Sequence, residues 1–138
     1  MPQNKSKFRK EVIMKKQNEW KRLPDSELEL MLIIWQADKA ITRSEIQKQL
    51  KGKKLTPTTI NSFLSRLEEK GFLQSEKIGK TNFYTPLVKQ EDYLSHESKT
   101  ILEKMYGNSV KNFVAALYDG KSLKQEQIEE LKEFINQL

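Results

Sequence analysis

The chain has no cysteine among its 138 residues. Disulfides, thiolate metal sites and cysteine nucleophiles are therefore excluded, and the composition suits a reducing compartment such as the cytoplasm. Long apolar runs are also missing, because the longest, residues 30–35, falls far short of the roughly 18 residues of a membrane span. Hydrophobic residues make up only 36% of the chain, which suggests that a second copy buries part of the apolar surface.

Residues that carry catalysis are scarce. His96 is the only histidine, and its polar neighbours in the sequence favour a solvated surface position. No glycine-rich phosphate loop, Ser/His/Asp set or cluster of metal ligands is visible. We therefore expect a protein that is not an enzyme and that needs no cofactor or metal.

Positive charge is abundant and unevenly placed. The net charge is +6. Residues 1–22 hold eight Lys and Arg against two Glu and are predicted to form a basic N-terminal arm. Residues 23–38 hold four acidic residues and no basic ones, whereas residues 39–80 hold ten basic and four acidic residues. A basic zone confined to a folded segment is typical of proteins that bind a polyanion.

Three helices are predicted between residues 25 and 71 from capping signals and apolar spacing. Asp25 is the expected cap of the first helix. Thr42 and Glu45 form a T-x-x-E capping box for the second helix, which Gly52 is expected to end. Thr56 followed by Pro57 begins the third helix, and Gly71 is placed to end it with a left-handed cap.

A β-hairpin is predicted next, over residues 72–78 and 82–87, with Gly79 and Lys80 in its turn. Three more helices follow: one over about 91–106, one that begins near Val110, and a last one that we expect Ser122 to cap, with Gln125 in the reciprocal position.

The fold class is therefore mainly α with a small hairpin, a winged helix-turn-helix domain followed by a helical domain. The expected domains are an arm at 1–22, a winged helix at 23–89 and a dimerisation domain at 90–138.

The third predicted helix has the composition of a base-reading helix. Its apolar stripe centres on Ile60, Phe63, Leu64 and Leu67, and its opposite face carries short hydroxyl and amide side chains. Such a face is unusual on a solvent-exposed helix, which favours Glu, Lys and Gln. Because the major groove admits one α-helix, we interpret this face as a reader of base edges. The candidate DNA contacts are Thr42, Arg43, Ser44, Lys54, Thr56, Thr58, Thr59, Asn61, Ser62, Ser65, Arg66, Lys77 and Lys80.

Several ordered blocks resemble the penicillinase-repressor family of BlaI- and MecI-type winged-helix repressors. They are LPDSELELMLIIW (23–35), TPTTINSFLSRLEEKGFL (56–73), NFYTPLV (82–88), LEKMYG (102–107), VKNFV (110–114) and QIEELKEFIN (127–136). The resemblance covers roughly residues 23–138. Asn61 departs from the family, which typically has a basic residue there, so the operator sequence is left open. The copper-responsive branch of the family has C-terminal cysteines, and this chain has none.

The resemblance implies a homodimer that binds a palindromic operator and represses β-lactam resistance genes. It also implies release of DNA when a membrane β-lactam sensor triggers proteolysis at an Asn–Phe bond, which is matched here by Asn112–Phe113. The candidate dimer contacts are Tyr106, Val110, Phe113, Val114, Leu117, Ile128, Leu131 and Ile135. Two alternatives stay open: a winged-helix regulator controlled by a directly bound small ligand, and a winged helix used only for protein contacts.

Overall fold

A computed structural model describes residue 20 and residues 22–50 and 54–138. The predicted basic arm therefore lies outside the described residues, except for Trp20 and Arg22, and so does the glycine expected to end the second helix, Gly52. The described residues form two compact units, which divide between His96 and Glu97. No helix in the described part of the chain is both long and apolar enough to cross a membrane.

The described residues form six helices and three strands. These are α1 (Asp25–Gln36), β1 (Ile41–Thr42), α2 (Arg43–Gln49), α3 (Pro57–Glu69), β2 (Leu73–Ile78), β3 (Thr81–Pro86), α4 (Gln90–Tyr106), α5 (Val110–Asp119) and α6 (Gln125–Gln137). Three helices followed by a hairpin confirm the predicted winged helix-turn-helix.

Local chemistry determines where α2 and α3 begin. The N–H of Glu45 donates to the Thr42 hydroxyl at 3.2 Å, and the Glu45 carboxylate accepts from the Thr42 N–H at 3.4 Å, so the predicted capping box is confirmed. The N–H of Thr59 donates to the Thr56 hydroxyl at 3.2 Å. Gly71 has a φ of 83°, a left-handed conformation that glycine adopts without a steric penalty. These caps hold α3 between two fixed ends.

The sheet has one strand more than the sequence predicted. Among the described residues, β2 and β3 form the antiparallel hairpin, and β1 pairs with the other edge of β3 through Ile41–Tyr84 and Thr42–Phe83. Residues Thr42 and Arg43 at the start of α2 are therefore attached by β1 to the hairpin. The hairpin, which we call the wing, has Gly79 and Lys80 in its turn as predicted.

The helices α1, α2 and α3 all contribute side chains to the core of the first unit. Its fully buried side chains include Leu30 on α1, Ile46 on α2 and Leu67 on α3. The carboxylate of Glu27 is also buried, with 2% of the residue exposed, and it accepts a hydrogen bond from Lys70 Nζ at 2.6 Å. This ion pair links α1 to the end of α3, so a charge taken out of water has a partner.

The structure corrects several sequence-based expectations. Pro24, not Asp25, precedes α1, and Asp25 is its first residue, where a negative charge interacts favourably with the helix dipole. The last helix begins two residues later than expected, after Lys124, whose N–H donates to Gln127 Oε1 at 2.9 Å. Ser122 and Gln125 are therefore not its cap. Short polar residues in a row offer more than one possible start, and the sequence does not choose between them.

The structure also corrects the predicted environments of His96 and Trp20. Trp20, which the sequence assigned to the arm, is buried against Phe72 and Tyr93, with ring centroids 5.9 and 6.1 Å away. His96 is half-buried rather than solvated, because its ring lies edge-on to Trp20 at 5.5 Å and its Nε2 is 3.2 Å from the Trp20 carbonyl oxygen. Contacts across more than 50 residues of sequence are invisible to local patterns.

The second unit buries its side chains less completely than the first unit does. Gly107 and Asn108 both have positive φ, of 53° and 67°, and this turn separates α4 from α5 as predicted. Ser109 caps α5 by accepting a hydrogen bond from the N–H of Asn112 at 3.1 Å. No described residue of 97–138 is fully buried.

Candidate nucleic-acid interface

The polar face of α3 is open to solvent along its length. Thr58, Ser62 and Ser65 are exposed, and the opposite stripe of α3 is buried in the core of the first unit. Their hydroxyl groups can donate to or accept from base edges and phosphate oxygens, and their small size permits close approach. Two faces of one helix thus have two different environments.

Two of the predicted contacts have a structural role as well. The hydroxyl groups of Thr56 and Thr59 are 2.9 Å apart, and Thr56 also caps the helix. Thr59 is half-buried. These two hydroxyls are partly committed to the start of α3, so they are weaker candidates for base contact than the three exposed residues.

A concave pocket of about 310 Å³ lies beside α3. It is bounded by the start of α2, by one residue of α3 and by the wing. Its lining residues are Thr42, Arg43, Ser44, Asn61, Lys80, Thr81, Asn82 and Tyr84. Five of these eight were predicted from the sequence as DNA contacts, and three separate elements bring them together. Two cationic side chains among hydroxyl and amide groups suit an anionic oxygen-rich group such as a phosphodiester.

Sequence reasoning missed three lining residues of this pocket, Thr81, Asn82 and Tyr84. Asn82 and Tyr84 are two apart on β3, so strand alternation puts them on one face of the wing. That alternation was a usable signal, but their nearness to Arg43 depends on the pairing of β1 with β3. Burial is the largest cause of a raised pKa for the Tyr84 hydroxyl. The negative charge of Glu68 also raises this pKa, whereas the hydrogen bond with Asn82 and the positive charge of Arg43 lower it. The hydroxyl therefore remains protonated at neutral pH and can donate a hydrogen bond.

Arg43 is connected to the turn between α2 and α3. One of its guanidinium nitrogens donates to Gln47 Oε1, and Gln47 Nε2 donates to the carbonyl oxygen of Leu55 at 3.2 Å. Leu55 lies immediately before the cap of α3. This chain of contacts links the orientation of Arg43 to the start of α3, so the pocket and the polar face of α3 are held as one surface.

The wing is attached to α3 by a pair of hydrogen bonds. Glu68 Oε1 accepts from the N–H of Ser75 at 3.2 Å and from its hydroxyl at 2.8 Å. These bonds join the last turn of α3 to β2. The wing residues Lys77 and Lys80 are exposed, as are Lys54 and Arg66, which lie outside the pocket lining. Exposed basic side chains therefore occur just before α3, on α3 itself and on the wing.

The bond between Asn112 and Phe113 lies in the first turn of α5. Phe113 donates its N–H to the Ser109 carbonyl oxygen at 3.1 Å, and its ring lies edge-on to Tyr106 with a centroid separation of 5.2 Å. Asn112 is exposed, and 37% of Phe113 is exposed. The sequence placed this bond inside a helix. The structure adds that the bond is close to the N-terminus of that helix, where few backbone hydrogen bonds hold it.

The predicted dimer contacts divide into two groups. Val110, Phe113 and Ile135 are exposed. Tyr106, Val114, Leu117, Ile128 and Leu131 are half-buried. A hollow of about 200 Å³ is lined by Ser98, Ile101, Leu102, Val110 and Phe113. The second unit therefore presents apolar side chains that its own helices do not cover.

Among the described residues, no group of three or more His, Cys, Asp or Glu side chains is arranged to hold a metal ion. The candidate site thus consists of hydroxyl, amide and basic side chains around α3. A winged helix with a polar, basic reading face is the structure of a DNA-binding transcriptional regulator.

Comparison with known proteins identifies the family. The model of the penicillinase repressor family matches residues 23–137. The penicillinase repressor of Bacillus licheniformis is 31% identical over 116 residues, 84% of this chain and 91% of that protein. The methicillin resistance regulatory protein MecI of Staphylococcus aureus (strain N315) is 30% identical over 119 residues, 86% of this chain and 97% of that protein. The chain belongs to the penicillinase repressor family.

A solved structure also resembles part of the chain. The solution structure of the DNA-binding domain of the repressor BlaI is 38% identical and covers 52% of this chain and 88% of that chain, with a TM-score of 0.47.

Proposed function

We propose that this DNA-binding repressor binds a palindromic operator as a homodimer and controls a gene of β-lactam resistance. The observation that supports the proposal best is the polar face of α3, whose Thr58, Ser62 and Ser65 are exposed beside the pocket that contains Arg43 and Lys80. In this arrangement α3 lies in the major groove and its short side chains contact base edges. The proposed site of action is the operator DNA, and hence the cytoplasm.

In the proposed complex the pocket beside α3 receives one phosphate of the DNA backbone. Arg43 and Lys80 supply positive charge from two sides, and the protonated Tyr84 hydroxyl supplies a neutral donor. Contacts to phosphate fix the register of the protein on the duplex, whereas contacts to bases carry the sequence information. The pocket therefore positions α3, and α3 selects the sequence.

A second copy of the chain is the proposed partner of the second unit. Its helices α5 and α6 have no fully buried residue, and 56% of Ile135 is exposed on α6. Burying these side chains against a partner supplies the apolar contacts that each helix lacks alone. Two-fold symmetry then presents two copies of α3 to two half-sites, one helical turn or a multiple of it apart.

Proteolysis between Asn112 and Phe113 is the proposed route of induction, with a membrane β-lactam sensor as the source of the signal. A protease must unwind the first turn of α5 to reach this bond, which breaks the bonds from Asn112 and Phe113 to Ser109. Cleavage there removes the start of α5 from the dimer contacts. Two half-sites then lose the linkage that makes binding tight.

One observation favours a second candidate function, a regulator controlled by a small ligand. The hollow lined by Ile101, Leu102 and Phe113 is apolar and large enough for a small organic group. The same residues belong to or adjoin the predicted dimer contacts, so a side chain of a second copy is the simpler occupant. Ile101→Trp, which fills the hollow, distinguishes the two hypotheses. If the hollow binds a ligand, the variant loses induction but remains a dimer. If the hollow receives a side chain of a second copy, the variant no longer dimerises.

Selection of bound sequences from random DNA by the purified protein tests the proposed function. The wild type is expected to enrich a palindrome, and Ser62→Ala is expected to relax the preference at the base pair that it contacts. Ser95→Ala, an exposed serine on α4, is the matched control and should select the wild-type palindrome. Failure of the wild type to enrich any sequence would refute the proposal.

A further inference from the structure

Asn61 is the residue at which the pocket beside α3 meets the polar face of the same helix. It is the one residue of α3 that lines the pocket, which also contains Arg43 and Lys80. It lies three residues after Thr58 and four before Ser65, so helical spacing places it on the exposed stripe of short polar side chains. A group bound by Asn61 is therefore within reach of both the pocket and the stripe.

The carboxamide of Asn61 is available to a ligand. The residue is exposed, and within the described part of the chain its side chain has no hydrogen-bond partner. The hydroxyls of Thr56 and Thr59, by contrast, bind each other at the start of the helix. Because the neighbouring Ile60 and Leu64 are buried in the core, the backbone that carries Asn61 is already held in place in the free protein.

Asn61 is the only side chain of α3 whose hydrogen-bonding groups match adenine. A carboxamide offers an N–H donor to N7 and a carbonyl acceptor to the N6 amino group, whereas a serine or threonine hydroxyl offers a single atom. The helix contains no other asparagine or glutamine. Its one cationic residue, Arg66, has the groups that pair with guanine. A preference for adenine in the major groove therefore has one source on this helix.

We propose that Asn61 selects an adenine in each half-site of the operator, through its amide N–H to N7 and its carbonyl oxygen to the N6 amino group. The inference rests on the proposed function, because it requires α3 in the major groove. Arg43 and Lys80 hold a phosphate in the pocket that Asn61 borders, so they fix which nucleotide lies beside the carboxamide. The phosphate contact sets the register, and the amide supplies the base preference at that position.

Selection of bound sequences by matched variants tests this assignment. The wild type is expected to prefer A·T by about tenfold at one position of each half-site, and Asn61→Ala should accept all four base pairs at that position alone. Asn61→Arg should prefer G·C there, because a guanidinium pairs with O6 and N7 of guanine. Lys80→Ala is the control, which should bind every sequence more weakly and keep the preference for A·T.

Replacement of the selected adenine by 7-deazaadenine tests the contact at a single atom. This change removes the N7 acceptor and keeps the base pair, so the wild type should bind the modified palindrome about fivefold more weakly. Asn61→Ala should bind the modified and unmodified duplexes equally, because its affinity no longer depends on N7. Fluorescence anisotropy titrations measure the four affinities.

The outcomes separate this inference from the proposed function. An unchanged A·T preference in Asn61→Ala would overturn the role of Asn61, and an equal loss on all sequences would overturn it by showing a phosphate contact instead. Both results leave the selected palindrome intact, whereas failure of the wild type to select any palindrome would overturn the proposed function as well. Thermal unfolding checks each variant, and the new G·C preference of Asn61→Arg is a gain that a misfolded protein could not show.

Discussion

The first unit, which ends at His96, buries a full set of apolar side chains among its described residues, whereas the second, residues 97–138, buries none of its residues completely. In the first unit Leu30, Ile46 and Leu67 have no exposed surface. In the second, Val110, Phe134 and Ile135 are each more than half exposed. The DNA-binding half therefore completes its own core, whereas the C-terminal half leaves apolar side chains exposed, which is the surface that the proposed homodimer would bury.

The largest expected effect comes from placing a charge in the proposed dimer contact. Phe113→Asp would leave a carboxylate buried without a partner, which costs about 3–5 kcal/mol per buried charge. We expect dimer dissociation to increase by a factor of at least about a hundred, measured by light scattering over a range of concentrations.

Leu94→Asp is the matched control, because Leu94 is an exposed hydrophobic residue of the first unit outside the predicted contacts. It should leave the mass unchanged. An intact Phe113→Asp dimer at micromolar concentration would remove Phe113 from the interface.

Removing a core side chain sharpens the contrast between the two units. Leu64→Ala should lower the free energy of unfolding of the first unit by about 2–5 kcal/mol, because Leu64 is almost completely buried and leaves a cavity. Urea unfolding at several protein concentrations measures this loss, which should not depend on concentration. Leu131→Ala on α6 should instead weaken association and shift the midpoint only at low concentration. The reverse pattern would contradict the comparison.

A single basic residue of the wing is expected to have a moderate effect on DNA binding. Lys77→Ala should weaken binding to all sequences about equally and reduce the slope of log affinity against log salt by about one, because one phosphate contact is lost. Fluorescence anisotropy titrations at four salt concentrations measure the slope. An unchanged slope would show that Lys77 does not contact phosphate, and a loss confined to the selected palindrome would assign it to base reading.

The smallest expected effect concerns the cap of α5. Ser109→Ala removes the acceptor for the Asn112 N–H and should destabilise the first turn by about 1 kcal/mol. Local opening would then be about fivefold more frequent, and limited proteolysis should cut near residues 112–113 about fivefold faster. Ser122→Ala is the control, since Ser122 does not cap α6. Equal cleavage rates in the two variants would show that opening of this turn does not limit cleavage.

Local chemistry predicted much of this fold. The capping box at Thr42, the cap at Thr56 and the positive φ at Gly71 each depend on a few neighbouring residues, and all three were read from the sequence. The strand β1 was missed because two residues carry no periodicity and pair only with Tyr84 and Phe83, about 40 residues away.

In the candidate site, too, features that depend on neighbouring residues were predicted and features that depend on distant pairing were missed. The exposed face of α3 follows from helical spacing, so Thr58, Ser62 and Ser65 were placed correctly on the surface. Asn82 and Tyr84 join Arg43 only because β1 pairs with β3, and this pairing has no local signal. The packing of Trp20 against His96 is of the same kind.

Hydrogen exchange of backbone amides at increasing protein concentration tests the difference between the two units most directly. Protection of α5 and α6 is predicted to rise as the dimer forms, because association stabilises them by mass action, while protection of α1 and α3 stays constant. Protection of α5 and α6 that is high and independent of concentration, in a chain with the 16.3 kDa mass of a monomer, would contradict the account.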